Sequence, residues 1–97
     1  MSQPINDWIA KRVPIYLSGM ESNVSRLQQA LAENNFACIQ KIAHNMKGTG
    51  AAYGFPPITE LGQAMENAAK ASDGAQTVVC IIAMRDYLDH VRISKPD

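Results

Sequence analysis

The chain is poor in the features that would give many proteins away. It has two cysteines, Cys38 and Cys80, among 97 residues. They form no C-x-x-C pair and stand in no His/Cys cluster. Two buried, reduced thiols are expected rather than a disulfide framework or a metal site. Charge of one sign is also missing. Nine Lys and Arg balance nine Asp and Glu, for a formal net charge of zero. With no basic stripe, nucleic acid is set aside as a partner. Long apolar runs are absent: "VVCIIAM" at 78–84 is the longest, against about 20 residues needed to cross a bilayer. The first twenty residues contain Asp7, Lys11 and Arg12 and no long apolar run, so no signal peptide is read. A soluble, cytoplasmic protein with no membrane partner is expected. No glycine-rich phosphate loop occurs either. Lys47-Gly48-Thr49 has no preceding glycine and lies inside a predicted helix, so an ATP-binding site, and with it kinase activity, is excluded.

What remains is helical periodicity. "PINDWIA" starts at Pro4 and spaces Ile5, Trp8 and Ile9 as a short first helix. A long helix is predicted from about Val13 to Asn34, with Pro14 in its first turn. Val13, Tyr16, Leu17, Met20, Val24, Leu27 and Leu31 form its buried stripe. Gly19 inside it weakens the helix by about 1 kcal/mol relative to alanine, which close packing would explain. Asn34-Asn35 break the chain, because asparagine tolerates left-handed geometry and caps the next helix. That helix is predicted from Phe36 to Tyr53, ended by Gly54. Pro56-Pro57 start another, with Ile58, Leu61, Met65 and Ala68 inward. "SDG" at 72–74 ends it. The last helix, from about Ala75 to Ile93, buries Thr77, Ile81, Met84, Leu88 and Val91. There are no repeats, low-complexity tracts or linkers. An all-α fold is expected over 1–97 as one domain: an antiparallel up-down four-helix bundle with a short extra N-terminal helix across one end.

The chain has only two histidines. At about 100° per residue, with His44 at zero, Ile39, Ile42, Met46 and Tyr53 fall within about 40° of the opposite side. Ala37, Gln40, Lys41, Lys47, Gly48 and Ala51 fall within about 60° of His44. The imidazole therefore faces water, beside an ammonium and nearly bare backbone. Gly48 and Gly50 each weaken the helix by roughly 1 kcal/mol. Neither position calls for a packing glycine, so both read as room for another molecule to approach. An imidazole with an ordinary pKa of about 6.5 is mostly neutral at pH 7. It can attack phosphorus without a general base, and Lys47 can stabilise the charge in transit. One exposed nucleophile cannot hold ATP or orient a leaving group, so a docking protein must bring the donor and its metal ion. His90, within "RDYLDHVR", is read as a surface residue, and Arg85, Asp86, Asp89 and Arg92 as a solvated face.

At this level the chain resembles the histidine phosphotransfer (HPt) domain. The resemblance rests on "AHNMKGTGAAYGFPPITELGQAMENAA", with H-x-x-K-G as His44-Asn45-Met46-Lys47-Gly48. The Gly54-Phe55-Pro56 turn, "ITELG", the approach "ALAENNFACIQKIAH" and "YLDHV" also match, over about residues 10–92. The resemblance implies a four-helix bundle relaying phosphate between receiver-domain aspartates, with His44 the phosphoacceptor through Nε2. Lys47 would stabilise the phosphoryl group. Gly48 would let the receiver come close, on a docking face with Ala51, Gln40 and Ala37. Glu66 stands where family members often place a Gln or Glu near the other imidazole nitrogen, with Gln63 its rival. Partners would be response-regulator receiver domains and a hybrid histidine kinase, with Mg2+ on the receiver and no cofactor or metal on this chain. A monomer is expected. A docking adaptor without phosphotransfer is the alternative, opposed by the presence of both His44 and Lys47. A bundle holding metal or haem is opposed by the outward His44 and the missing Glu-x-x-His pairs.

Overall fold

A computed structural model describes residues 4–94, with side chains described from Lys11 to Val91. Four α-helices are found among the described residues: α1 (Pro4–Ala32), α2 (Phe36–Thr49), α3 (Pro56–Lys70) and α4 (Gly74–Ser94), with a 3₁₀ turn at Ala51–Tyr53. Each helix packs on its two neighbours in the cycle α1, α2, α3, α4, and among the described residues none packs across a diagonal. No helix among the described residues is long and apolar enough to cross a membrane.

The expected separate N-terminal helix is instead the start of α1, which runs unbroken through Pro14. Proline removes one hydrogen bond within a helix and crowds the preceding turn. Pro14 is exposed, so water can satisfy the carbonyl left without its donor. At about 1.5 Å per residue, the 29 residues of α1 span roughly 43 Å, most of the molecule's 48 Å long axis. The expected roles of Ile5, Trp8 and Ile9 lie outside the described side chains. Gly19, expected in close packing, is exposed with no neighbouring atom where a Cβ would stand.

The same device closes all three connections. At Asn34-Asn35, the N–H of Asn35 donates to Ala30 (2.8 Å) and that of Asn34 to Leu31 (3.0 Å). At Gly54-Phe55 the pairs are Phe55 to Gly50 (2.8 Å) and Gly54 to Ala51 (3.0 Å). At Ser72-Asp73 they are Asp73 to Ala68 (2.9 Å) and Ser72 to Ala69 (3.0 Å). These are Schellman closures, with Asn34, Gly54 and Ser72 in the left-handed region at φ 56, 92 and 52. Asn35 then caps α2 by accepting from the Cys38 N–H (3.1 Å). Asp73 caps α4 by accepting from Gln76 (3.0 Å).

The predicted stripes form the core. Leu27, Ile39, Met46, Ile58, Met65 and Met84 are fully buried, each such burial contributing about 1.5–3 kcal/mol. Thr77 is buried as well, its hydroxyl donating to the Asp73 carbonyl at 2.7 Å. Val13, Leu31, Leu61 and Val91 pack at the edge of the core. Both cysteines are free, and burial pushes the Cys80 thiol upward. At one end Tyr16 stacks on Tyr53, centroids 4.2 Å apart and rings 9° from parallel. Phe55 extends the stack at 6.2 Å from Tyr16, and such pairs contribute about 0.5–1.5 kcal/mol each. The Tyr16 hydroxyl lies 2.9 Å from Thr49 Oγ1, which fixes α1 against the end of α2.

Candidate functional site

Helix α2 turns Ile39, Ile42, Ala43 and Met46 into the core. His44 faces the other way, with 68% of its side chain exposed. The helical angle read from the sequence therefore holds at His44. What the angle does not show is how α3 reaches the imidazole.

That depends on Gly62. A Cβ there would stand 2.7 Å from the Lys47 nitrogen and 2.9 Å from the Ala43 carbonyl oxygen. No side chain fits between them, so the backbones of α2 and α3 lie directly against each other. Thr59, one turn earlier, ties the same seam. Its hydroxyl donates to the Lys47 carbonyl (2.9 Å) and accepts from the Ala51 N–H (2.8 Å). Glu66, one turn after Gly62 on the same face of α3, then reaches both His44 and Lys47 of α2. Its Oε2 lies 2.9 Å from His44 Nδ1, and its Oε1 lies 2.8 Å from Lys47 Nζ.

Only 7% of the Glu66 side chain is exposed, against 28% for Lys47. Oε1 is buried without a hydrogen bond of regular geometry, and the Lys47 ammonium is its partner as an ion pair. The two observations agree on charge compensation, which a buried carboxylate requires. The Lys47 contact, foremost, and then the His44 contact hold the Glu66 carboxyl below its ordinary range, against the opposing effect of burial. An ionised carboxylate only accepts hydrogen bonds, so the imidazole proton is assigned to Nδ1. Nε2 is left with its lone pair, and no described residue bonds it. The arrangement offers an exposed imidazole to solvent, with an anion behind the ring and an ammonium beside it.

A groove of about 370 Å³ opens next to the ring, lined by Ala37, Gln40, Lys41, His44 and Glu66. Four of the expected residues thus meet in one place. Gly48 lies one turn further, exposed, with nothing within 4 Å of where a Cβ would be. Ala51 is exposed too, but α2 ends at Thr49 and Ala51 belongs to the 3₁₀ turn. The regular helical angle that placed it beside His44 does not extend to it. Gly50 also departs from expectation. It is buried, and a Cβ would stand 2.6 Å from the Thr59 nitrogen and 2.8 Å from Ile58 Cβ. It is a packing glycine, not cleared surface. Gln63, the rival of Glu66, is exposed and donates to Asn67 instead (3.1 Å).

Gly62 and Thr59 are the residues that sequence reasoning passed over. Both stand in "ITELG", and a glycine four residues before an acidic residue on a helix was the available signal. His90 is exposed, as are Arg85, Asp86 and Asp89, in keeping with a solvated face. The side chain of Arg92 lies outside the described residues.

Compared with known families, residues 13–93 match the model described as the Hpt domain. Comparison with curated proteins and with solved structures gives no match.

Proposed function

This chain belongs to the Hpt domain family, whose members act in phosphorelays as histidine phosphotransfer carriers rather than kinases, and we propose that His44 carries the phosphoryl group. The observation that carries this reading is the ring itself, its side chain 68% exposed and held at Nδ1 by Glu66 at 2.9 Å. In the proposed step the Nε2 lone pair attacks the phosphorus of a receiver's aspartyl phosphate. A P–N bond forms, the P–O bond to the aspartate breaks, and the aspartate leaves as a carboxylate. Nδ1 keeps its proton, so positive charge develops on the ring, and the Glu66 carboxylate offsets it. Lys47 supports the charge on the transferring oxygens. Transfer to a second receiver is the reverse step at the same atom.

The docking face consists of Ala37, Gln40 and Gly48, with Ala51 at its margin. Its partners are response-regulator receiver domains and a hybrid histidine kinase. Mg2+ belongs to the receiver. The protein acts as a monomeric, single-domain cytoplasmic intermediate. Its short connections support an antiparallel up-down order of helices.

The test is transfer of label from phosphorylated receiver domains. We expect acid-labile labelling of the wild type and none of His44→Gln, with helical content and melting temperature of the variant unchanged. Persistent labelling of His44→Gln would overturn the assignment.

A further inference from the structure

The chain is neutral overall, yet between Glu33 and Glu60 it contains no acidic residue at all. Helix α2 lies inside that interval and carries Lys41 and Lys47. Lys47 is ion-paired to Glu66. Lys41 is exposed and has no acidic partner within ion-pair distance among the described residues. Arg26 on α1 is likewise exposed, and its contact is a long one, Nη1 donating to Asn23 Oδ1 at 3.4 Å. The two cations line one groove of about 290 Å³ between α1 and α2, with Asn23, Ile42 and Asn45. Lys41 also lines the groove beside His44, so its side chain borders both depressions. Arg85, on the far side of the bundle, instead shares its groove with Glu21 and Asp89.

The direction of approach follows from helical geometry. Measured from His44, Gly48, Lys41 and Asn45 lie at about 40°, 60° and 100° to one side. Ala43 and Lys47 lie to the other, where Gly62 brings the α3 backbone against them. The open space over Gly48 is therefore on the α1 flank. A body that enters over Gly48 comes to rest over Lys41 and Arg26.

We propose that Arg26 and Lys41 form a basic ledge that steers and orients an acidic protein partner, a receiver domain presenting carboxylates around its phosphorylated aspartate. This rests on the reading of His44 given above. A site that holds an aspartyl phosphate with a divalent cation is built from carboxylates, which supplies the complementary charge. Steering of this kind acts on the association rate and fades with ionic strength.

The test uses a phosphorylated receiver that labels the wild-type protein. The second-order transfer rate is measured at about 10 mM and about 1 M salt, where the Debye length is roughly 30 Å and 3 Å. Arg26→Glu/Lys41→Glu should transfer at least about tenfold more slowly at low salt, and the gap to wild type should close at high salt. Arg26→Gln/Lys41→Gln should fall between, with circular dichroism and melting temperature matching wild type. Equal rates at low salt, or a slowing that is the same at both salts, would overturn the ledge. Failure of the His44 reading has a different signature: no label on the wild type from any receiver, or label retained by His44→Gln.

Discussion

The α1–α4 half and the α2–α3 half of the bundle are built on different terms. Helices α1 and α4 bury side chains: Leu17, Met20, Val24 and Leu27 from one, Cys80, Ile81, Met84 and Leu88 from the other. No close backbone contact is needed there, and Gly19 on α1 faces open space. Between α2 and α3 the decisive contacts are made by bare backbone, Gly62 against Lys47 and Ala43, and Gly50 against Thr59. Apolar side chains determine that helices associate, and they tolerate moderate repacking. Backbone contact permits only one spacing. The half that holds Glu66 to His44 is the half with the stricter geometry.

The largest effect is expected in the permissive half. Leu27→Ala removes a fully buried side chain and should destabilise by about 2–5 kcal/mol. The melting temperature falls by about 4–8 °C for each kcal/mol in a domain of this size. Labelling per folded molecule, measured below the transition, should stay the same. A loss of labelling beyond the loss of folded protein would break the comparison. Gly62→Ala is next. Helix propensity favours it by about 1 kcal/mol, and overpacking against backbone opposes it by about 1–3 kcal/mol. Its net effect on melting should be smaller than that of Leu27→Ala, yet labelling should drop sharply as α3 moves off α2. Nitrogen chemical shifts of His44 would report the loss of the Nδ1–H bond. Labelling at the wild-type rate would show that the seam does not set the site.

Gly48 in α2 and Gly50 just after its end sharpen the contrast. Gly48→Ala places a methyl in open space and should stabilise by about 1 kcal/mol, a rise of about 4–8 °C in melting temperature. Transfer from a receiver should nevertheless slow, because the cleared surface is narrowed. Gly50→Ala should do the reverse to stability, since its methyl would meet Thr59 and Ile58. If the two substitutions shift melting in the same direction, the distinction between exposed glycine and packing glycine is lost.

The contrast also explains what could be read from the sequence. The buried stripes and the outward turn of His44 follow from a 3.6-residue period and needed no tertiary information. The caps at Asn35 and the left-handed Asn34 and Gly54 follow from local chemistry. Gly50 and Gly62 were not legible in that way, because a glycine at a helix crossing and a glycine facing solvent look alike along the chain. The end of α2 at Thr49 was hidden for a related reason. The 3₁₀ turn is set by tertiary partners, Thr59 receiving the Ala51 N–H and Tyr53 stacking on Tyr16. Pro14 misled in the opposite direction, marking a helix start where α1 continues. Glu66 was found through resemblance, but its second contact, with Lys47, came only from the geometry.

The smallest expected effect separates those two contacts of Glu66. Its carboxyl is held below its ordinary value of 4.5, chiefly by Lys47. A group with a depressed folded pKa contributes stability in full above its unfolded value and loses it as pH falls through the folded value. The contribution is therefore present at neutral pH and disappears on the acid side, below about pH 4.5. Glu66→Gln keeps an oxygen that can accept from His44 Nδ1 but gives Lys47 no charge. Its melting temperature should accordingly fall less steeply than that of the wild type between about pH 5 and pH 3, while the tautomer of His44 and measurable labelling survive. Glu66→Ala should share the shallower acid slope and also lose the tautomer preference. Identical slopes for wild type and Glu66→Gln would mean that the Lys47 pair contributes nothing to the fold. Labelling lost equally in the Gln and Ala variants would mean that the charge behind the ring, rather than the hydrogen bond to it, makes Nε2 competent.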